Sequence, residues 1–408
     1  MKVHNDIMLA LDRKRDVLLV MLDLSAAFET IDHEILLHRL EYFFGFRGPV
    51  LAWFRSYLVD RKQYVSIPSH GDTASSNSKS VYTSSQSTPL CGVPQGTILG
   101  PILFTLYTAP LEEILLRHGL DPMIFADDSQ SYITCEHYSE AQPGLERCID
   151  EVKQWMRDNL LILNDSKTEV IHFKSKFKKD RNRIPSLRIG DSEVEPVSVV
   201  RNLGVYFDDA GKMSDNLKQI CQTASYGLWR IGKIRNLLDR TLTERLVHAF
   251  ITSRLDYCNA LLHGLDKCAL LPLQTIQNSA ARMITLSKRN EHITPILYEL
   301  HWLPIHQRTK FKVLITAFKC LYEMAPSYLT ELITPRTPPS SLRPRPLTLK
   351  TVRTNNLKHY GPTAFSVAAP LLWNALPPTL RSLTDFSTFK SQLKTHLFRQ
   401  HYEYNDDF

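Results

Sequence analysis

The sequence predicts an α+β protein: an antiparallel sheet backed by helices in the first half, and a mostly helical second half. Three observations predict it. "VLLVML", Val17 to Leu22, is an unbroken apolar run, the pattern of a buried strand, and it ends at Asp23. "DPMIFADDSQSYITC" sets Met123–Phe125 and Tyr132–Thr134 on either side of a tight turn, so it reads as a hairpin with Asp127 and Asp128 at its tip. After about Gly211 strand signals become rare, and helical spacing dominates to about Tyr328.

The elements follow in order. Asp32 is placed to N-cap a helix carrying Ile35, Leu36, Leu37 and Leu40. "VLAWFRSYL" continues as helix and "QYVSI" alternates as a strand. Residues 69–88 form a Ser/Thr-rich loop. "CGVPQGTILGPILF" is a Gly-rich turn leading into a helix with Ile98, Ile102, Leu103, Leu106 and Leu111 at apolar spacing. After the hairpin, "LERCIDEVKQWMRDNLL" is amphipathic, with Leu145, Ile149, Val152, Met156 and Leu160 on one side. "TEVIHF" and "RNLGVYFDD" read as two further strands, separated by a basic linker, "KSKFKKDRNRIPSLR". "ITPRTPPSSLRPRPLTLK" is a Pro-rich break, and the tail holds "AFSVAAPLLWNALP" and the amphipathic "STFKSQLKTHLF".

The chain of 408 residues predicts two or three domains. Its 43% hydrophobic and 22% charged residues exclude global disorder, and a net charge of +7 fits a polyanionic partner. The seven cysteines show no CxxC pair, which favours a reducing compartment. Cys258, His263 and Cys268 match no common zinc spacing. The first residues carry charges where a secretory leader needs its apolar core, and no apolar run reaches membrane-spanning length. A soluble, intracellular chain is expected.

Adjacent acids at a hairpin tip have two readings. Asp is a good turn residue, because its side chain bonds nearby backbone groups. Alternatively, a divalent cation turns the mutual repulsion of two carboxylates into attraction. The element order lets Asp23 meet Asp127 and Asp128 on one face of the sheet. Three carboxylates there would suit two Mg²⁺ ions and phosphoryl transfer.

The chain resembles the reverse transcriptases of non-LTR (LINE-type, jockey-like) retrotransposons. "MLDLSAAFETIDH" resembles the first catalytic motif, "GVPQGTILGPILF" the template and nucleotide contact, and "FADD" the signature hairpin. "LNDSKTEVIHF" and "VRNLGVYFDD" follow in the family's order, and "SRLDYCNALLHGL" and "HWLPIHQRTKFKVLITAFKCLY" extend the likeness. The resemblance implies a right-hand polymerase palm with a remnant of fingers over residues 1–210. A helical thumb over 211–330 and a Pro-rich linker with a family-specific segment over 331–408 would follow. It implies RNA-directed DNA synthesis with two Mg²⁺ ions, or Mn²⁺, acting on an RNA template, a DNA primer and deoxynucleoside triphosphates in nucleus and cytoplasm.

By the same resemblance, Asp23, Asp127 and Asp128 are the metal ligands, with the backbone carbonyl of Leu24. Phe28 is the gate that excludes a ribose 2′-OH, and Gln95 and Gly96 contact nucleotide and template. Lys167 protonates the leaving pyrophosphate, and Leu203 and Gly204 grip the primer. Phe28 as a core aromatic and Lys167 as a solvated turn lysine are the structural alternatives. Lys174, Lys176, Lys178 and Lys179 either contact duplex phosphates or form a solvated linker. Trp302 reads as a core helix junction rather than a base-stacking platform. Only sixteen residues precede the strand at Val17, so an N-terminally truncated copy is expected. The alternative functions are a nucleic-acid-binding remnant and, further off, a host-adopted structural protein.

Overall fold

A computed structural model describes residues 1–68, 81–178, 186–189, 192–336, 347–352, 357 and 359–403. The chain divides into two compact units. One comprises residues 18–170 and 183–196; the other comprises 1–17, 171–182 and 197–408. These lines differ from the expected boundaries at 210 and 330. The reason lies in the packing of the tail, described below.

A four-stranded sheet, most of whose residues lie in the first unit, runs in the order Asp121–Phe125, Asp128–Cys135, Asp16–Leu22, Glu169–Phe173. Leu18, Val20 and Leu22 of the central strand enter one core with Leu103, Phe104, Tyr107, Leu145 and Val152 from the helices behind. Asp32 caps the helix His33–Tyr42 by accepting the Ile35 N–H at 2.9 Å. The helix Tyr138–Asp158 buries Leu145, Ile149, Val152 and Met156. Leu160 does not join that face: it lies past the helix end, exposed, with φ 54°. The helical face after Gly96 is also offset from the expected one. Leu103, Phe104, Tyr107 and Leu111 are buried, whereas Ile98 and Ile102 are exposed. Pro110 opens a second helix, Pro110–Arg117, where one continuous helix was expected. "QYVSI" yields only the short strand Ser66–Pro68.

The second unit is mainly helical. "RNLGVYFDD" is not one strand but a hairpin, Val199–Asn202 against Val205–Asp208. Leu203 (φ 44°) and Gly204 (φ 81°) both take the left-handed backbone that a two-residue turn demands. The tail does not form a separate body. Phe318, Trp373 and Phe389 meet within one core, with the Phe318 and Phe389 rings stacked 4.4 Å apart. An unforeseen N-terminal helix, Lys2–Asp12, joins the same unit. The Asp12 carboxylate accepts the N–H groups of Tyr360 and Gly361, and Asn5 accepts that of Ser366. Among the described residues no single helix is long and apolar enough to cross a membrane; only the bent pair Leu99–Thr108 and Pro110–Arg117 meets that measure, taken together.

Candidate active site

Asp23 directly follows the strand Asp16–Leu22, and its carbonyl accepts the Asn164 N–H at 2.8 Å. Buried Leu24 then pairs with Leu163, and Ser25 with Ile162, so the backbone around Asp23 is fixed on both sides. In the hairpin, Phe125 pairs with Asp128, leaving Ala126 and Asp127 as the turn, with Ala126 at φ 52°. The tight turn thus leaves both Asp side chains exposed at the tip.

The strand that starts at Asp128 lies beside the strand that ends before Asp23. Burial, then Asp127, then Asp23 raise the Asp128 carboxyl above its ordinary value. The neighbouring strands thus relate Asp23 to the Asp127–Asp128 hairpin despite a hundred intervening residues. The Lys167 ammonium lies 3.7 Å from the Asp23 carboxylate. Both side chains are well exposed, so the pair adds little stability and leaves the ammonium accessible. Sequence reasoning overlooked Asn164, although it stands three residues before Lys167 in the same quoted motif.

Backbone pairing joins the segments that carry Phe28 and Gln95. Val93 donates to the Phe28 carbonyl at 2.8 Å, and Gly92 to that of Ile31 at 2.7 Å. A Cβ at Gly92 would meet the Glu29 carbonyl oxygen at 2.8 Å, so only glycine lets the two segments close. The Gln95 amide donates to Glu29 at 2.9 Å, a partner that sequence reasoning did not foresee. Gly96 (φ 74°) has open space around it. Phe28 is half-buried, its ring 5.3 Å from that of Phe104, so it is both a core neighbour and a partly open surface.

Leu203 and Gly204 lie in the other unit. There the Tyr257 hydroxyl donates to the Leu203 carbonyl at 2.6 Å, and the Tyr257 ring packs 3.4 Å from where a Gly204 Cβ would stand. The basic run requires a correction. The Lys178 ammonium sits 2.8 Å from Asp16, whose carboxylate is 4% exposed, with His172 at 3.4 Å. That lysine is committed to a buried ion pair and is not available to a phosphate. Lys176 lies over the rings of Phe177 and Tyr360, Lys174 is half-buried, and Lys179 is outside the described residues.

Carboxylate oxygens are the donors that Mg²⁺ and Mn²⁺ prefer, so the donor set fits a hard divalent cation. Among the described residues, no three His, Cys, Asp or Glu side chains stand close enough to hold an ion as they are. Like charges keep carboxylates apart. Asp127 and Asp128 are exposed.

The family of reverse transcriptases (RNA-dependent DNA polymerase) matches this chain over residues 3–207. The chain belongs to the reverse transcriptase family. Members of that family work with divalent metal ions. A probable RNA-directed DNA polymerase from transposon BS of Drosophila melanogaster is 26% identical over 295 residues, 70% of this chain and 30% of that protein. The corresponding polymerase from transposon X-element of the same fly is 27% identical over 293 residues, again 70% and 30%. This reverse transcriptase chain therefore spans about 30% of the length of these curated relatives. Among solved structures, apo telomerase from Candida tropicalis is similar at a TM-score of 0.37 and 9% identity, over 75% of this chain and 50% of that one.

Proposed function

We propose that this chain carries the polymerising centre of a non-LTR retrotransposon reverse transcriptase, which adds deoxynucleotides to a primer 3′-hydroxyl under the direction of an RNA template. One observation carries the reading: the strand that opens at Asp128, with Asp127 in the turn before it, is the sheet neighbour of the strand that ends just before Asp23, so the acids stand on two adjacent strands. Two Mg²⁺ ions, replaceable by Mn²⁺, would be held by Asp23, Asp127, Asp128 and the Leu24 carbonyl; when bound they supply charge neutralisation for phosphoryl transfer.

The protein's own groups do the rest. The backbone bonds from Asn164 and Leu163 hold Asp23 in place, which limits the reorganisation needed when the substrates arrive. Lys167, 3.7 Å from Asp23, would bring a proton to the departing pyrophosphate and balance its charge. The Phe28 ring excludes a ribose 2′-hydroxyl, and Glu29 orients Gln95 toward template and nucleotide.

The test is primer extension on an RNA template with deoxynucleoside triphosphates and Mg²⁺. Extension by the purified protein, lowered about 10²–10³-fold in Asp127→Asn, supports the reading. Undiminished extension by that variant would refute it.

A further inference from the structure

Arg39 is half-buried where two helices of the first unit end. Its guanidinium donates to the Tyr107 carbonyl, in the last turn of Leu99–Thr108. It also donates to Asn159 Oδ1 at 2.6 Å, just past the end of Tyr138–Asp158. The rings of Tyr107 and Trp155 lie 4.9 and 5.5 Å from it. Burial disfavours the charge, and among the described residues no carboxylate pairs with it. The negative ends of two helix dipoles compensate instead. A planar guanidinium fork reaches two fixed acceptors at once, which the point charge of a lysine does less well.

Asn159 is in turn the anchor of the chain that follows. It is 8% exposed; its side-chain amide donates to the Trp155 carbonyl, and its own carbonyl accepts the Tyr107 hydroxyl, both at 2.7 Å. Leu160 and Leu161 then donate to the Arg157 and Met156 carbonyls at 3.1 and 2.8 Å, which closes the helix with Leu160 at φ 54°. Glycine is the usual residue in that position, and a leucine keeps the left-handed backbone only where its surroundings fix it. Ile162 and Leu163 next pair with Ser25 and Leu24, and the Asn164 N–H donates to the Asp23 carbonyl. Asn164 stands only five residues after Asn159.

We propose that Arg39 is a positioning residue for Asp23, acting through Asn159: by pinning the end of Tyr138–Asp158 it fixes the segment Ile162–Asn164 against the Asp23 backbone. The consequence for catalysis rests on the polymerising reading of the carboxylate centre, whereas the clamp itself does not.

Hydrogen exchange of the Asn164 amide in the intact protein reads the clamp, since that N–H is the donor to Asp23. In Arg39→Met it should exchange roughly 10–100-fold faster, the worth of a charge-assisted hydrogen bond, while the amides that pair Asp121–Phe125 with Asp128–Cys135 keep parental rates. Asn159→Leu removes the other half of the contact and should speed the same amide. Arg39→Lys keeps a cation at the helix ends without the fork, so its Asn164 rate should fall between parent and Arg39→Met; this milder variant decides the matter if the methionine variant does not fold. Parental exchange at Asn164 in Arg39→Lys, or equal acceleration of the hairpin amides in it, overturns the proposal, because the second result marks a residue that only stabilises the unit. Primer extension separates the clamp from the reading it serves. If the unaltered protein does not extend, that reading fails and the exchange rates still decide the clamp. If it extends, Arg39→Lys should lower kcat per folded molecule about tenfold at unchanged primer–template affinity, and a parental kcat overturns the positioning role.

Discussion

Lys178→Met should loosen the strand that delivers Asp23. Asp16 opens that strand, seven residues before Asp23, and its carboxylate is 4% exposed. Burial alone would raise this carboxyl; hydrogen bonds from His172 and Lys178 outweigh it and hold the group below its ordinary value. Removing one partner of a buried ion pair destabilises by about 3–5 kcal/mol. Because His172 stays at 3.4 Å, the lower end, about 3 kcal/mol, is expected here. The assay is hydrogen exchange of the amides in Asp16–Leu22, which should accelerate about 100-fold if they report this unit's opening. The second change Asp16→Asn should recover most of the loss, since a neutral pair leaves no stranded charge. The pH dependence has a fixed sign. A depressed carboxyl stabilises fully above its unfolded value near 3.9 and loses that contribution as pH falls through its folded value, so the gap between variant and parent closes in acid. Protection within about threefold of the parent at neutral pH would refute the argument, because that is the effect of a surface lysine.

Three other outcomes follow. Phe28→Val should raise the kcat/KM for ribonucleotides relative to deoxynucleotides, while losing about 1–2 kcal/mol of packing against Phe104; an unchanged ratio makes Phe28 a core aromatic only. Asp23→Asn should bring the Asp128 carboxyl down toward its ordinary value, because one of the groups raising it is gone, and a carboxyl-carbon NMR titration reads this directly. In the parent, Mn²⁺ binding should weaken as pH falls through the raised value of Asp128, and pH-independent binding would place the ion elsewhere. Tyr257→Phe removes the hydrogen bond to Leu203 and should speed exchange at the hairpin turn roughly fivefold, about 1 kcal/mol, whereas unaltered exchange would show that the ring packing alone holds it.

The parts of the fold that local pattern specifies were legible. An unbroken apolar run marks the central strand, and the Asp pair between two apolar stretches marks the hairpin. The capped helix at Asp32 was readable for the same reason. Errors arose where a single residue breaks a pattern. Leu203–Gly204 folds one predicted strand into two, because a left-handed Leu leaves no compositional trace. Ile98 and Ile102 extend the apolar spacing without joining the buried face. The N-terminal helix buries Val3, Ile7, Met8 and Leu11, a helical spacing that was present but was read only as a leader test. Lys178 looked like one of several linker cations. Its partner Asp16 is 162 residues away, and no local signal reports a pairing at that distance. The strands that carry Asp23, Asp127 and Asp128 were legible in the pattern, whereas the backbone pairing of the Asp23 segment with Asn164 and Leu163, and of Gln95 with Glu29, depends on tertiary contacts.

The claim that matters most is that Asp23 and Asp127 belong to one centre. Groups that act as a unit lose their effect together, whereas independent groups multiply. The measurement is the rate of primer extension on an RNA template by Asp23→Asn, Asp127→Asn and the double variant, each checked for retained primer–template binding. The account predicts that the double variant is no worse than about threefold below the poorer single variant. A double variant whose loss equals the product of the two single losses would contradict it.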